Sequence, residues 1–185
     1  MKRKGMLMGA GVVVSLAVGF GFAVSAATAD KYSLKVPGGL AFSEFRGYES
    51  WQVISVSHGN ALAVILGNPA MIAAYQAGFP GNGKPFPNGA KMAKIHWNAE
   101  KSDEPGSPML PGTLHDVDFM VKDSKRFADS GGWGYAEFEY EEGAKAFRPG
   151  TTSDKPPQGN DAKCGFACHS DVKDKDYVFT AYGAR

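Results

Sequence analysis

The sequence contains few of the residues on which several common protein classes depend. It has two cysteines among 185 residues, so at most one disulfide can form within the chain. Its formal charge is +1, with 20 basic and 19 acidic residues. A protein that follows a phosphate backbone carries a basic stripe, and no such stripe is present. We therefore expect no nucleic-acid partner.

Long apolar runs are also scarce, and the one that stands out is at the N-terminus. Basic residues at positions 2–4 precede an apolar stretch over about 6–24, and Ala27-Thr28-Ala29 fits the A-x-A cleavage pattern. This layout predicts a secretory signal peptide over 1–29 and one periplasmic domain over 30–185, without membrane contact after cleavage. An uncleaved anchor is the alternative, because the run is near the lower limit for a span. Cleavage removes three basic residues and no acidic ones, so the formal charge becomes −2.

The rest of the chain is patterned mainly as short strands. Apolar runs at 51–56 and 61–66 flank a His-Gly-Asn turn and predict a β-hairpin. Alternating polar and apolar residues predict further strands at 91–97 and 113–122, and an aromatic-rich run predicts another at 133–140.

A helix is predicted directly after the hairpin. Asn68 can cap it, Pro69 fits its first position and Gly78 ends it. Segments 101–112 and 148–163 are rich in proline and glycine and predict loops. The predicted fold is one mainly β (α+β) domain, in which an antiparallel sheet carries two or three helices and a C-terminal segment with both cysteines.

The chemistry of the sequence is concentrated in this C-terminal segment, which reads K-C-G-F-A-C-H over 163–169. Haem c is usually attached by C-x-x-C-H, in which the thiols bond the haem vinyl groups and the histidine binds iron. Here Cys164 and Cys168 are one residue further apart, and Gly165 could let the extra residue bulge outward. His169 keeps its place beside the second cysteine. The spacing permits haem c, but a Cys164–Cys168 disulfide is an alternative in an exported protein.

A zinc site is a third interpretation of the same residues. Two cysteines and one histidine supply three ligands, and no fourth is obvious nearby.

Four sequence blocks occur in the order found in one protein family. They are G-A-K-M-A-K at 89–94, V-K-D-S-K-R-F at 121–127, W-G-Y at 133–135 and D-Y-V-F-T-A-Y at 176–182. On these blocks the chain resembles the cytochrome P-460 family, which includes the cytochromes c′-beta. The resemblance covers about Trp51 to Tyr182. It implies a mainly β fold, usually homodimeric, with a five-coordinate haem c whose iron is bound by His169.

The resemblance also implies a small nitrogen species as substrate or ligand. One branch of the family oxidises hydroxylamine, and the other binds nitric oxide. In the first branch a lysine is covalently joined to the haem edge, and Lys94 falls at its position. Asp118 lies where that branch has a carboxylate near the open side of the haem, from which it could accept protons. Electrons would leave to a periplasmic electron-transfer cytochrome.

Each of these two residues also has an ordinary interpretation, as a solvated strand lysine and a surface aspartate. A second axial ligand would change the function as well. His58, His96 and His115 could fill that position, and the protein would then be a six-coordinate electron carrier. The four mature methionines, Met71, Met92, Met109 and Met120, raise the same possibility, and Met92 is the best placed because it shares a strand face with Lys94. Turn, strand-face or core roles are the ordinary explanation for all of these residues.

Overall fold

A six-stranded antiparallel sheet forms the centre of the molecule, and every strand pairs with the next along the chain. The structure is a computed structural model that describes residues 30–37, 40–59, 61–150 and 165–185. The strands are β1 (Gln52–His58), β2 (Leu62–Gly67), β3 (Lys91–Lys101), β4 (Met109–Lys122), β5 (Trp133–Glu141) and β6 (Ala146–Pro149). The predicted mainly β fold and its opening hairpin are confirmed.

Strands β3 and β4 are longer than predicted, so the loop between them covers 102–108 and is shorter than the loop predicted over 101–112. Pro111 lies within β4 and pairs with Ala99, next to a point where the register shifts. A proline is tolerated in a sheet at such an irregularity, because a ladder hydrogen bond is already missing there. Strand β6 was also missed, since its residues overlap the start of the loop predicted over 148–163. The remainder of that loop, from 151, lies outside the described residues.

The predicted helix is present as α1 (Pro69–Gln76). Asn68 caps it by accepting a hydrogen bond from the Met71 N–H at 3.0 Å. The same side-chain oxygen accepts from the Lys91 N–H at 3.0 Å, and the Asn68 amide donates to the Gly89 carbonyl at 2.8 Å. Asn68 therefore fixes the start of β3 as well as the start of the helix.

The two faces of the sheet carry two separate apolar cores, because successive side chains on a strand point to opposite faces. Short 3₁₀ segments (Lys31–Ser33, Phe42–Phe45 and Tyr48–Ser50) cover the first face. There Phe45 stacks on Phe119 with ring centroids 4.0 Å apart. On the second face α1 and the C-terminal segment cover a core that includes Met92, Met120 and Trp133.

The C-terminal segment begins with helical residues 165–169, continues as a 3₁₀ segment over Ser170–Lys175, and ends as extended chain. Within the described ranges no helix is both long enough and apolar enough to cross a membrane. The signal peptide predicted over 1–29 lies outside these ranges, as does Cys164.

Candidate functional site

A cavity of about 460 Å³ lies between the second face of the sheet and the C-terminal segment. Its floor consists of two rows of side chains that run across neighbouring strands in register. One row runs from β2 to β5 and is called the polar row because three of its members are charged; it contains Ile65, Lys94, Asp118 and Glu137. The other, the apolar row, runs from β3 to β5 and contains Met92, Met120 and Tyr135. The C-terminal segment lines the opposite side with Gly165, Cys168, His169, Phe179 and Thr180.

Four residues predicted as site residues therefore line one cavity, namely Lys94, Asp118, Cys168 and His169. They come from two strands and from a segment about 50 residues further along the chain. Cys164 lies outside the described residues. The chemical roles assigned to all five remain predictions.

His169 is fixed by contacts on several sides. Its Nδ1 donates to the Tyr177 carbonyl oxygen at 2.5 Å, and its ring lies against Tyr135 and Phe179 with centroids 5.3 and 5.0 Å away. Burial lowers the pKa of His169; the bond to Tyr177 opposes this, and the charge of Lys94 adds to it. The imidazole is therefore neutral near pH 7. Because Nδ1 carries the hydrogen, Nε2 carries the lone pair that a metal requires.

Lys94 and Asp118 are direct cross-strand partners on the floor of the cavity. Side chains in such pairs lie close together, with Cβ atoms about 5 Å apart. Lys94 is half-buried, and its charge reaches His169 strongly enough to affect the pKa of the imidazole. The Asp118 side chain is 44% exposed, so its carboxylate borders both the cavity and the solvent.

Glu137 is the cavity residue that sequence reasoning missed most clearly. It pairs with Asp118 across β4 and β5, which places a second carboxylate on the polar row. Tyr135 was noted only as part of the W-G-Y block, yet its ring lies against His169 and burial raises the pKa of its phenol. The alternation of β5 could have placed Tyr135 and Glu137 on one face. It could not have shown that this face meets residues 165–169.

A second polar cluster lies beside the cavity. The Nδ1 atoms of His96 and His115 each contact one carboxylate oxygen of Asp116, which is 6% exposed. Burial by itself would raise the pKa of Asp116, but the bonds from the two imidazoles outweigh it, so the pKa is lowered. His96 and His115 do not line the cavity, nor does His58. Among the alternative axial ligands named from the sequence, Met92 and Met120 line it.

The residues around the cavity fit a c-type haem. The apolar row and Phe179 offer surfaces for a porphyrin ring, His169 offers a neutral imidazole nitrogen, and Cys168 places an exposed thiol next to it. Gly165 is helical and packs closely on Tyr135, because an added Cβ would lie 3.3 Å from the ring. Whether it also permits a bulge after Cys164 stays a prediction.

Comparison with known proteins agrees with this site. The family model described as Cytochrome P460 matches residues 45–180, whereas no curated protein matches the chain. Members of that family bind c-type haem with its iron and are typically periplasmic. Because the match covers well over half of the sequence and includes every residue that lines the cavity, this chain belongs to the cytochrome P460 family.

Proposed function

We propose that this protein oxidises hydroxylamine in the periplasm, at a haem c held by Cys164 and Cys168 and ligated by His169. The observation that carries the proposal is the position of Lys94. Its amine belongs to the same cavity as His169, and its charge contributes to the lowered pKa of that imidazole.

When bound, the haem iron supplies the electron-accepting centre and the open coordination position. Each N–H or O–H bond broken in hydroxylamine releases one electron and one proton, and nitric oxide results when all of them are broken. The electrons pass to a periplasmic cytochrome. Asp118 takes up the protons, because its carboxylate lies on the cavity floor and is also exposed to solvent. Glu137 stands opposite and offers the next acceptor.

Lys94 acts from the edge of the haem in this proposal. A bond from its amine to the ring would replace one N–H and one C–H bond with a C–N bond. Two protons would be released, and two electrons would pass to an oxidant of the peroxide class. A residue bonded in this way holds the ring in place and changes its electronic structure, while the protein supplies orientation and exclusion of competitors.

A second function is favoured by the composition of the cavity floor. The apolar row of Met92, Met120 and Tyr135 would accommodate a small molecule without hydrogen-bond donors, such as nitric oxide, more readily than a strongly hydrogen-bonding one such as hydroxylamine. Binding of nitric oxide without turnover is therefore the alternative. It requires the same haem and the same His169, but it requires no bond from Lys94.

The deciding experiment compares the holoprotein with Lys94→Met, and uses Lys101→Met, an exposed lysine at the end of the same strand, as the matched control. We expect a strongly red-shifted ferrous spectrum for the wild type and the control, and an ordinary c-type spectrum for Lys94→Met. Intact mass counts the haem, and turnover with hydroxylamine is measured on all three proteins. An unchanged spectrum in Lys94→Met would exclude the cross-link. Nitric oxide binding without any turnover would favour the alternative.

Absence of haem would remove both functions. A pyridine haemochrome assay on periplasmic protein measures this directly. A negative result, with the two thiols found oxidised, would support the disulfide interpretation of Cys164 and Cys168.

A further inference from the structure

Asp176 and Tyr177 have an unusual backbone conformation for consecutive residues other than glycine. Their φ angles are +50° and +64°, in the left-handed region that side chains disfavour. The surrounding structure must therefore hold them there. They directly follow the 3₁₀ segment Ser170–Lys175, and the Tyr177 carbonyl is the acceptor for His169.

Asp176 is anchored to several parts of the molecule. Its Oδ1 accepts from the Lys122 ammonium at 2.6 Å, and its Oδ2 accepts from the Phe86 N–H at 2.7 Å. Its carbonyl accepts from the indole N–H of Trp133 at 2.8 Å. The contacts come from β4, from the loop before β3 and from β5, so Asp176 ties the C-terminal segment to the sheet.

Lys122 forms an ion pair with the side chain of Asp176. It is the last residue of β4, and its side chain is 6% exposed, compared with 10% for Asp176. Its ammonium also donates to the Gly131 carbonyl at 3.0 Å and lies over the Trp133 ring. A buried ion pair of this kind holds its two residues in one arrangement, because removal of either partner leaves the other charged and buried.

The anchored backbone leads directly to the histidine. The Tyr177 N–H donates to the Val172 carbonyl at 3.1 Å, and the Tyr177 carbonyl accepts from His169 at 2.5 Å. A hydrogen bond at Nδ1 sets the orientation of the imidazole and increases the electron donation of Nε2. Movement of Asp176 would therefore move the group that determines the ligand strength of His169.

We propose that Lys122 and Asp176 form a positioning pair for His169. Neither residue contacts a molecule bound in the cavity or the imidazole of His169. Both act through the Tyr177 carbonyl. The inference rests on the axial role of His169 in the proposed function, but it does not depend on which nitrogen species is bound. Loss of the pair weakens the bond at Nδ1 and lowers the electron donation of His169 to iron.

The test uses the holoprotein and four variants. Lys122→Met removes the ammonium, and Lys122→Met combined with Asp176→Asn removes both charges. Asparagine tolerates the left-handed conformation, so the double variant keeps the backbone and avoids a buried unpaired charge. Lys91→Met is the matched control, because Lys91 is also a strand lysine that donates to a backbone carbonyl. Lys91 is half-buried, and its carbonyl partner belongs to Glu44. Lys122→Arg tests rescue.

Two readouts besides activity are measured, namely the iron–histidine stretching frequency of the ferrous protein and the reduction potential of the haem. We expect a lower frequency and a more positive potential in both Lys122→Met proteins, no shift in Lys91→Met, and partial return in Lys122→Arg. Unchanged values in the folded double variant, or equal shifts in Lys91→Met, would overturn the proposal. An absent iron–histidine band in the wild type would overturn it together with the proposed site, whereas absent hydroxylamine turnover alone would overturn only the proposed reaction.

Discussion

Lys94 lies directly opposite Asp118 in the register of β3 and β4, and both side chains line the cavity, whose opposite side is lined by His169. This arrangement brings an amine and a carboxylate to the same site from neighbouring strands. Since Lys94 is assigned to the haem edge and Asp118 to proton transfer, the two roles can be separated by changing one residue at a time.

Asp118→Asn should lower turnover with hydroxylamine while leaving the haem in place. The amide keeps the size of the side chain but cannot accept a proton at neutral pH. We expect kcat to fall about 100-fold, the lower end of the range for general-base catalysis. The ferrous spectrum should stay as in the wild type, since Lys94 is unchanged.

Asp118→Glu is the conservative partner of that variant and should retain most of the activity, because it restores a carboxylate with one more methylene. Asp103→Asn is the matched control in the exposed loop between β3 and β4. Steady-state kinetics on the three proteins check the assignment. Equal kcat in Asp118→Asn and Asp103→Asn would assign the proton to another acceptor, of which Glu137 is the nearest in register.

Gly134→Ala should destabilise the fold without changing the cavity residues. Gly134 lies in β5, and a Cβ added there would lie 2.4 Å from the ring of the fully buried Phe127. Overpacking of this kind costs about 1–3 kcal/mol. The free energy of unfolding from chemical denaturation measures it. Gly143→Ala is the control, since an added Cβ there meets nothing within 4 Å; if both variants were equally stable, the close approach to Phe127 would not matter.

The contact between Gly134 and Phe127 also shows what the sequence could and could not predict. Both residues belong to blocks that were recognised from the sequence, and α1 with its Asn68 cap was predicted from local signals. Strand ends were predicted less well, because Pro111 and Pro149 indicate loops locally while the sheet register accommodates them at an irregularity and at an edge.

The candidate site likewise contains residues that the sequence predicted and residues that it did not. Cys168 and His169 were predicted from their spacing, Lys94 from a matched block, and Asp118 from its position in the family resemblance. Glu137 was missed because its role depends on the pairing of β4 with β5, and the Tyr177 carbonyl was missed because a backbone acceptor has no signal in the sequence. Both follow from contacts between segments that are distant in the chain, which a single sequence does not specify.

Phe42→Ala should cause the largest loss of stability among these changes. Phe42 is fully buried on the first face of the sheet, and its ring contacts those of Phe119 and Phe138 at centroid distances of 5.2 and 4.7 Å. Removing such a ring costs about 3–5 kcal/mol. Chemical denaturation should show this shift, while Val56→Ala, at a valine that is 69% exposed, should change little. A small effect of Phe42→Ala would mean that the segment Phe42–Phe45 contributes little to the core.

Asp116→Asn should remove a stabilising contribution that depends on pH. In the folded protein the bonds from His96 and His115 hold the pKa of Asp116 below its ordinary value of 3.8 despite burial. A lowered folded-state pKa stabilises the protein at pH values above the unfolded-state pKa, and this contribution is lost as the pH falls through the folded-state value. At neutral pH the variant should be less stable by about 2 kcal/mol, as expected for hydrogen bonds to a charged group. The difference in unfolding free energy between wild type and variant should shrink below about pH 4, whereas Asp103→Asn should show no such trend. A difference that stays constant down to the acid limit of folding would mean that Asp116 is not ionised between its two histidines.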